Sequence, residues 1–453
     1  MKKFAAVILA AGAGTRMNSS SPKVLHKLSG KSLIDWVIDS VESLKPEKVV
    51  VILGHKAELV EKALEGRKVK VVYQKEQLGS AHALMQAGKV LKSYNGDILV
   101  ISGDVPLVKP ATLASLLKRS KENKSSATIL TAFTENPHGY GRIIRNGGRL
   151  EKIIEEKDAT PAEKSVKEIN SGIYCFDKNI WKALSKVKPD NAKKEYYLTD
   201  TIEILKKEGR KASFSVAKSS FEVKGINSRT ELEQAERALL DEKISSLLAD
   251  GVTVIERSGV YVSFDAKIGK DTVIYPGAFI GRGVKTGRNC VIKGSSFIEN
   301  SEIGDNCRII YSYISGAKIG NNVKIGPFSH IRKGSILKEN AKVGNFSETK
   351  KSVIGKNSKV NHLSYIGDAE IGENVNIGAG TITCNYDGEK KHKTVVGAGS
   401  FVGSNVNFVA PVKIGKSVLV AAGSTITRDI PSGKLAIARA RQEEKERHVK
   451  SNK

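Results

Sequence analysis

Cysteine is scarce in this chain: among 453 residues there are four, Cys175, Cys290, Cys307 and Cys384, and no two share a Cys-x-x-Cys spacing. Neither a disulfide framework nor a zinc site is indicated. Aromatic residues are also few, at 6%. Their scarcity removes the base-stacking platform on which single-strand nucleic-acid binders depend. It weakens the one feature that points to nucleic acid, a formal net charge of +26. The lysines are scattered through the chain, which reads as a solvated basic surface with some attraction for small polyanionic substrates and no nucleic-acid partner. Only the tail, residues 439–453, concentrates charge, and it reads as a mobile end or a fraying helix. Long hydrophobic runs are absent too. The longest early one, residues 4–11, is too short to span a bilayer and lacks a signal-peptide cleavage pattern. It reads as a buried strand in a cytoplasmic protein with no membrane insertion. With 42 glycines, 11 prolines and 40% hydrophobic residues, the composition is neither collagenous nor disordered. At this length more than one hydrophobic core is expected.

What the chain does have is a beat of six. An apolar residue returns at Ile268, Ile274, Ile280, Ile292 and Ile298, at Ile319, Ile325, Ile331, Leu337 and Val343, and at Val396, Val402, Phe408, Ile414, Val420 and Ile426. Six is even and a poor multiple of 3.6, so residues six apart share a face of an extended chain but not of a helix. A sandwich of short strands would alternate at period two and would not hold this phase. The repeat specifies a parallel β-helix, with roughly nine coils stacked ~4.8 Å apart if three hexads make one coil. Glycine follows several inward residues (Gly269, Gly281, Gly320, Gly326, Gly415), where a corner with positive φ is expected. Between Ile377 and Val396 the beat slips by one residue, which implies an inserted loop, and loops on rigid scaffolds commonly carry function.

In the first half, strand-like runs at 4–11, 48–53, 69–73 and 97–102 alternate with helical stretches near 32–44, 57–64 and 80–91. That order predicts an open, mainly parallel sheet whose ligands bind beyond the carboxyl ends of the strands. The first strand ends in Gly12-Ala13-Gly14-Thr15-Arg16-Met17, which matches neither a dinucleotide fingerprint nor a P-loop. It is either a phosphate loop, with Arg16 and Lys23 as fixed cations, or a structural turn. Asp104, in Ser102-Gly103-Asp104-Val105-Pro106, closes another strand. Its carboxylate suits Mg²⁺ bridging phosphates, or it caps the helix expected from about Lys109. Leu232, Ala235, Leu239, Leu247 and Leu248 approximate one face of a connecting helix.

The run from Leu9 to Met17 followed by Pro22-Lys23 resembles the sugar-1-phosphate nucleotidylyltransferase signature. With the repeats behind it, the domain order is similar to the bifunctional N-acetylglucosamine-1-phosphate uridyltransferase and glucosamine-1-phosphate N-acetyltransferase family. Gln77-Leu78-Gly79-Ser80, Gly139-Tyr140-Gly141-Arg142, Glu155-Glu156-Lys157-Asp158, Glu168-Ile169-Asn170-Ser171-Gly172 and Gly225-Ile226-Asn227 fall in that family's order. The resemblance implies an α/β, Rossmann-like nucleotidylyltransferase domain over 1–227, a linker helix over 228–250 and an all-β, left-handed parallel β-helix acetyltransferase domain over 251–453. It implies a cytoplasmic homotrimer with acetyltransferase sites shared between chains, whose product feeds cell-wall and lipopolysaccharide synthesis. Leu9, Ala10, Ala11, Gly12, Gln74, Gly79 and Ser80 would hold UTP, with Ser102 and Gly103 beside them. Gly141, Glu155 and Asn170 would hold the sugar, Asp104 and Asn227 would bind Mg²⁺, and Arg16 and Lys23 would neutralise the triphosphate. Ser80 stands where that family usually has threonine, and Ser102 where tyrosine is common.

In the second half, the region that departs from the repeat runs through residues 361–368, with His362, then 374–381 and 384–388, and is followed by a polar stretch over 389–393. Attack by a sugar amine on a thioester needs a neutral amine, and imidazole is suited to removing its proton. By the same resemblance His362 would be the general base. Arg332, Lys350, Tyr365, Asn376 and Lys391 would bind glucosamine 1-phosphate, and Ala379, Asn385, Tyr386, Ser404, Ala422 and Arg439 would bind acetyl-coenzyme A. The tail lacks the family's usual proline near Arg439. The favoured reading is therefore two activities: acetylation of glucosamine 1-phosphate, then uridylyl transfer from UTP to N-acetylglucosamine 1-phosphate. The alternatives are a single-activity nucleotidylyltransferase whose β-helix only oligomerises or regulates it, and a non-catalytic regulatory subunit.

Overall fold

The computed structural model describes residues 3–447. Its contacts divide the chain between Glu236 and Arg237 into two units.

The first unit is built on the apolar run Phe4–Ala10 (β1). Phe4, Ala6, Ile8 and Ala10 face one core and Ala5 and Val7 the other, so both faces of the strand are covered. This explains why the run is apolar throughout, as a central parallel strand must be. Following it are β2 (Lys48–Leu53), β3 (Lys70–Tyr73), β4 (Asp97–Ser102), β5 (Ala127–Phe133), β6 (Arg142–Asn146), β7 (Arg149–Ile154), β8 (Glu168–Phe176) and β9 (Ala212–Val216). They form one sheet in the order β9-β5-β8-β4-β1-β2-β3, with the β6–β7 hairpin attached to β8. β4, β1, β2 and β3 are parallel, as the alternation of strands and helices predicts. β8 runs antiparallel to both its neighbours, a departure that side-chain pattern does not announce. Helices Leu33–Glu42, Ala57–Ala63, Ser80–Leu91 and Pro110–Asn123 accompany the sheet. Because chain order reverses between β4 and β1, the loops after these two strands open at a topological switch point.

The helix Arg229–Ala249 occupies the expected connection. Ala235, Leu239 and Leu247 are buried as the pattern predicts, but Leu248 is exposed and Ile244 takes the inward position.

The second unit consists of three parallel sheets of eleven, ten and eight short strands. Successive members of the six-residue beat fall on successive sheets: Ile319 on the third, Ile325 on the first, Ile331 on the second, Leu337 on the third again. Three hexads therefore make one coil. The first sheet is longer than nine strands because Val254 and Ala436, outside the regular beat, also pair. Stacked isoleucines and valines fill the interior.

The expectation for the corner glycines needs correction. Of the five, only Gly326 has a positive φ, 95°. At Gly269 and Gly415 an added Cβ would strike the backbone of the next coil, and at Gly320 it would lie 2.9 Å from the Glu339 nitrogen. Close stacking is what excludes a side chain there. Positive φ is instead taken repeatedly by asparagine, at Asn289, Asn306, Asn322, Asn340, Asn357 and Asn374. Their amides join coil to coil, as from Asn340 to Asn357 and from Asn357 to Asn374, both at 2.9 Å. Residues 439–447 of the tail contain no helix, and 448–453 lie outside the described residues. Among the described residues, no helix is long and apolar enough to cross a membrane.

Two neighbouring glycines separate the two constraints. Gly397 would place a Cβ 2.5 Å from the carbonyl carbon of Gly415, whereas Gly399 has φ 70° and only the Ser417 hydroxyl, 3.4 Å away. Alanine at Gly399 should cost about 1–2 kcal/mol of backbone strain. Gly397→Ala should lower the thermal midpoint further, and equal losses in the two variants would deny that coil approach is the tighter constraint.

Candidate active sites

In the first unit a cavity of about 380 Å³ opens at the switch point, lined by Leu9, Ala10, Ala11, Gly12, Lys23, Gln74, Gly79, Ser80, Ser102 and Asp104. Ten residues singled out from the sequence thus meet in one place, joined by Gln77 and Glu195. Gly14 has φ 63°, and a Cβ on it would come 2.6 Å from that of Lys23. The loop therefore closes as a turn that also lets the Lys23 side chain pass. Gly103 donates to the Leu9 carbonyl at 2.8 Å, and a Cβ there would crowd that of Ala10 at 3.3 Å. It supports the cavity floor without lining it. Arg16 is exposed on the turn Thr15–Met17, outside the lining.

Asp104 is not a helix cap, since Lys109 occupies the N-cap position of Pro110–Asn123. Its carboxylate pairs instead with the Lys23 ammonium, which also donates to Asn227 Oδ1 at 2.9 Å. Two oxygens from distant segments thus converge on one cation. Among the described residues no group of three or more His, Cys, Asp or Glu side chains is placed to hold a metal. An Asp–Asn pair nonetheless fits Mg²⁺, which takes few protein oxygens and completes its shell with phosphates and water.

Gly141, Glu155 and Asn170 form a separate group beside the hairpin. The Asn170 backbone donates to the Gly141 carbonyl at 2.8 Å, and a Cβ on Gly141 would lie 3.4 Å from Glu155 Oε1. The Asn170 amide donates to the Tyr174 hydroxyl at 2.7 Å. Burial pushes the Glu155 carboxyl above the usual range against the opposing pull of Lys193. Asp200 is raised to about 6 by burial, with the Glu155 charge adding to it.

In the second unit, His362 ends the strand Lys359–His362 and stands in register with Asn345 of the coil before it. The Asn345 side-chain oxygen meets His362 Nδ1. With that oxygen as its partner the neutral ring carries its proton on Nδ1 and leaves Nε2 as the free nitrogen. Asn345 escaped the reading of the sequence. Val343, Val360, Ile377, Val402 and Val420 stack in register, so the residues two beyond each form one column: Asn345, His362, Ala379, Ser404 and Ala422. Arg439 ends it, donating to the Ala422 carbonyl at 3.0 Å. A base thus stands below a strip of small residues.

The insertion is equally specific. Seventeen residues separate the paired Val360 and Ile377, but twenty-five separate Ile377 and Val402. The added residues form an ordered finger, closed by a Tyr386–Lys391 bridge and by Asp387, which pairs with His392 at 2.6 Å and is held far below the usual carboxylate range. Asn385 at its base donates to Asp368 at 2.5 Å. The finger brings Lys391 beside Lys350, whose pKa it lowers, with Arg332 contributing. Arg332 is itself paired with Glu348 at 2.7 Å. These three cations gather at the end of second-sheet strands, whereas His362 precedes the second-sheet strand Tyr365–Gly367. Within one chain they stand on opposite edges of that sheet. Tyr365 lies on it and Asn376 on the first sheet.

Comparison with known proteins agrees with both units. Residues 6–192 match a MobA-like NTP transferase domain, 257–345 a GMPPB C-terminal domain, and 393–428 a bacterial transferase hexapeptide model of six repeats. The chain is 50% identical to bifunctional protein GlmU of Caldicellulosiruptor saccharolyticus, over 98% of its own length and 97% of the relative's. It is 48% identical to bifunctional protein GlmU of Geobacillus sp. strain WCH70, over 99% and 98%. The chain belongs to the bifunctional GlmU family. The coils of this GlmU-family chain are accordingly those of a left-handed hexapeptide β-helix.

Two outcomes follow from the site chemistry. Nitrogen NMR of His362 should find the Nδ1-protonated tautomer, and Asn345→Ala should return the ring to mostly Nε2–H; an unchanged tautomer would deny the Asn345 contact. Because the Asp200 pKa is raised on folding, the native state binds more protons than the unfolded chain between about pH 4 and 6, and stability from this group falls as pH rises through that window. Asp200→Asn should therefore gain on the parent protein in urea unfolding above pH 6 and lose that advantage below about pH 4.

Proposed function

We propose that this chain catalyses two consecutive steps in the synthesis of UDP-N-acetylglucosamine, one in each unit, as a cytoplasmic enzyme whose product feeds cell-wall and lipopolysaccharide polymers. The observation that carries the reading is His362 with its Nδ1 tied to Asn345, at the foot of the column of small residues.

In the second unit, His362 Nε2 takes a proton as the amine of glucosamine 1-phosphate attacks the thioester carbon of acetyl-coenzyme A. A C–N bond forms, the C–S bond breaks and the coenzyme leaves as its thiol. Ala379, Ser404 and Ala422 leave room for the pantetheine arm along the column, with Asn385, Tyr386 and Arg439 at its margins. Arg332, Lys350 and Lys391 hold the sugar phosphate, and the mutual repulsion that lowers Lys350 is relieved when a dianion binds among them. Tyr365 and Asn376 complete the sugar contacts. The opposite placement of His362 and these cations within one chain favours a homotrimer in which each site draws on neighbouring chains. Phe328, Phe346 and Leu363, more than half exposed at the His362 corner, supply apolar surface for that association.

In the first unit, Leu9 to Gly12 with Gln74, Gly79, Ser80 and Ser102 receive UTP, and Gly141, Glu155 and Asn170 receive N-acetylglucosamine 1-phosphate. A phosphate oxygen of the sugar attacks the α-phosphorus and pyrophosphate leaves. Asp104 and Asn227 would hold Mg²⁺, which when bound supplies neutralising charge for the phosphates. Lys23 and Arg16 add fixed positive charge along the triphosphate. No protein nucleophile is needed, because such transfers depend on positioning and charge.

A single-activity nucleotidylyltransferase with an inert β-helix leaves the ordered finger and the His362–Asn345 pair without a purpose. His362→Ala should lower thiol release from acetyl-coenzyme A by about 10²–10⁴-fold and leave pyrophosphate release from UTP and N-acetylglucosamine 1-phosphate nearly unchanged. Asp104→Ala should give the reverse. Loss of both activities in either variant would contradict independent sites, and absence of both in the parent protein would sink the assignment.

A further inference from the structure

Asp104 and Asn227 reach one point from two distant segments of the first unit, and both are held by contacts of their own. The Asp104 backbone carbonyl accepts from Ile226 at 2.9 Å, which ties the segments together. The Glu231 carboxylate accepts from the Asn227 backbone at 2.6 Å and from that of Ser228 at 3.0 Å. The Asn227 amide nitrogen donates toward the Gly225 carbonyl at 3.4 Å, which leaves the amide oxygen as the atom that meets Lys23. A Cβ on Gly225 would stand 3.6 Å from both Asp104 carboxylate oxygens and from the Asn227 amide nitrogen, so glycine keeps that side open. Two oxygens are thus set for a cation by contacts that do not involve the cation. What lies between them is the Lys23 ammonium, with only 15% of the Lys23 side chain and 11% of that of Asp104 exposed. Lys23 belongs also to the nucleotide cavity, whose lining it shares with Gly12 and Ala13, and its flexible stem lies across Gly14.

We propose that Lys23 is a place-holder for the divalent cation: in the free protein its ammonium fills the Asp104–Asn227 pair and keeps the metal out, and the triphosphate draws it into the cavity, so that metal and nucleotide enter together. An ammonium has three donors and no lone pair, so it satisfies the same two oxygens that a hard cation would take. Both cations cannot stay. A monovalent and a divalent charge side by side in a site screened from water repel strongly, and only one carboxylate is present to offset them. A triphosphate brings the missing negative charge and offers the ammonium a second partner a side chain's swing away. By linkage, whatever draws Lys23 from the pair strengthens the metal, and the metal strengthens the nucleotide to the same degree. This deepens the proposed reading of the first unit and rests on Asp104 and Asn227 holding the metal.

The test measures Mn²⁺ binding to the full chain through the enhancement of water proton relaxation, which separates protein-bound Mn²⁺ from Mn²⁺ held by free nucleotide. Without nucleotide, Lys23→Met, similar in length but uncharged, should bind Mn²⁺ about tenfold more tightly than the parent protein. Anomalous scattering from crystals of that variant soaked in Mn²⁺ should place the ion between Asp104 and Asn227. Lys23→Gln, whose amide can still donate to Asp104, should give a smaller gain and serves for the comparison if the Met variant does not fold. Saturating UTP, with no sugar phosphate present, should shrink the difference between parent and variants, because Lys23 has then left the pair in the parent too. Equal affinities in parent and variants without nucleotide, or an advantage that UTP leaves undiminished, would overturn the proposal. Asp104→Ala separates it from the underlying reading. If Asp104→Ala weakens Mn²⁺ binding while Lys23→Met does not strengthen it, only the role of Lys23 is wrong. If the gain of Lys23→Met survives the addition of Asp104→Ala, the ion sits elsewhere and both fail.

Discussion

The parallel-strand ladder is the constraint on which both units depend. In parallel pairing each residue has a fixed partner on the neighbouring strand, so a side chain's position in sequence fixes its neighbours in space. In the second unit this converts the chain into columns. Asn345, His362, Ala379, Ser404 and Ala422 come into line because the valines and isoleucines two places before them are stacked. In the first unit the same ladder sets the ends of β1 and β4 side by side, so that Gly12 and Asp104 can share a cavity. The hydrophobic residues choose the register, and the polar residues inherit their places from it.

Several of the charges in the two sites are already paired within the protein itself. Lys23 rests between Asp104 and Asn227, and Arg332 rests against Glu348. Lys350 and Lys391 are the exception, two ammonium groups pressed together by the finger with Lys350 shifted downward as a result. Such a pair is a poor arrangement for an empty protein and a good one for a phosphate, because the repulsion is present before binding and gone after it. Elsewhere on the coils some lysines are paired singly with carboxylates, as Lys356 is with Glu339 and Lys393 with Glu370. The high net charge of the chain is thus less informative than the place where the finger sets Lys391 beside Lys350.

The regular parts of this fold were legible because burial on a repeating lattice leaves a period in the sequence. β1, β2 and β4 are buried on both faces and read as unbroken apolar runs; the coils read as a beat of six, and the finger as a break in that beat. Strand direction was not legible. β8 has the same alternation whether parallel or antiparallel, and only its pairing partners decide. Four of the five corner glycines were read for the wrong reason, since backbone approach and positive φ both exclude a Cβ and leave the same letter. The asparagines that do hold positive φ could have been found, because they recur at coil spacing and their amides bond to one another.

Asn345 was missed for a related reason, and it indicates how such a site can be sought. It lies seventeen residues before His362, the same interval that separates Val343 from Val360 and Val360 from Ile377. Local sequence around His362 contains no hint of it. In a coil the neighbour of a catalytic side chain is one full turn away, so the group that orients the ring must be looked for at that interval in both directions. Taken upward, the same step reaches Ala379, and a larger one across the finger reaches Ser404. In the first unit no such interval exists, because crossovers there vary in length. There Gln74 meets a helix residue, His82, whose own neighbour Gln86 lies four residues along the same helix face. The period that builds each element is therefore also the rule for finding what supports its functional residues.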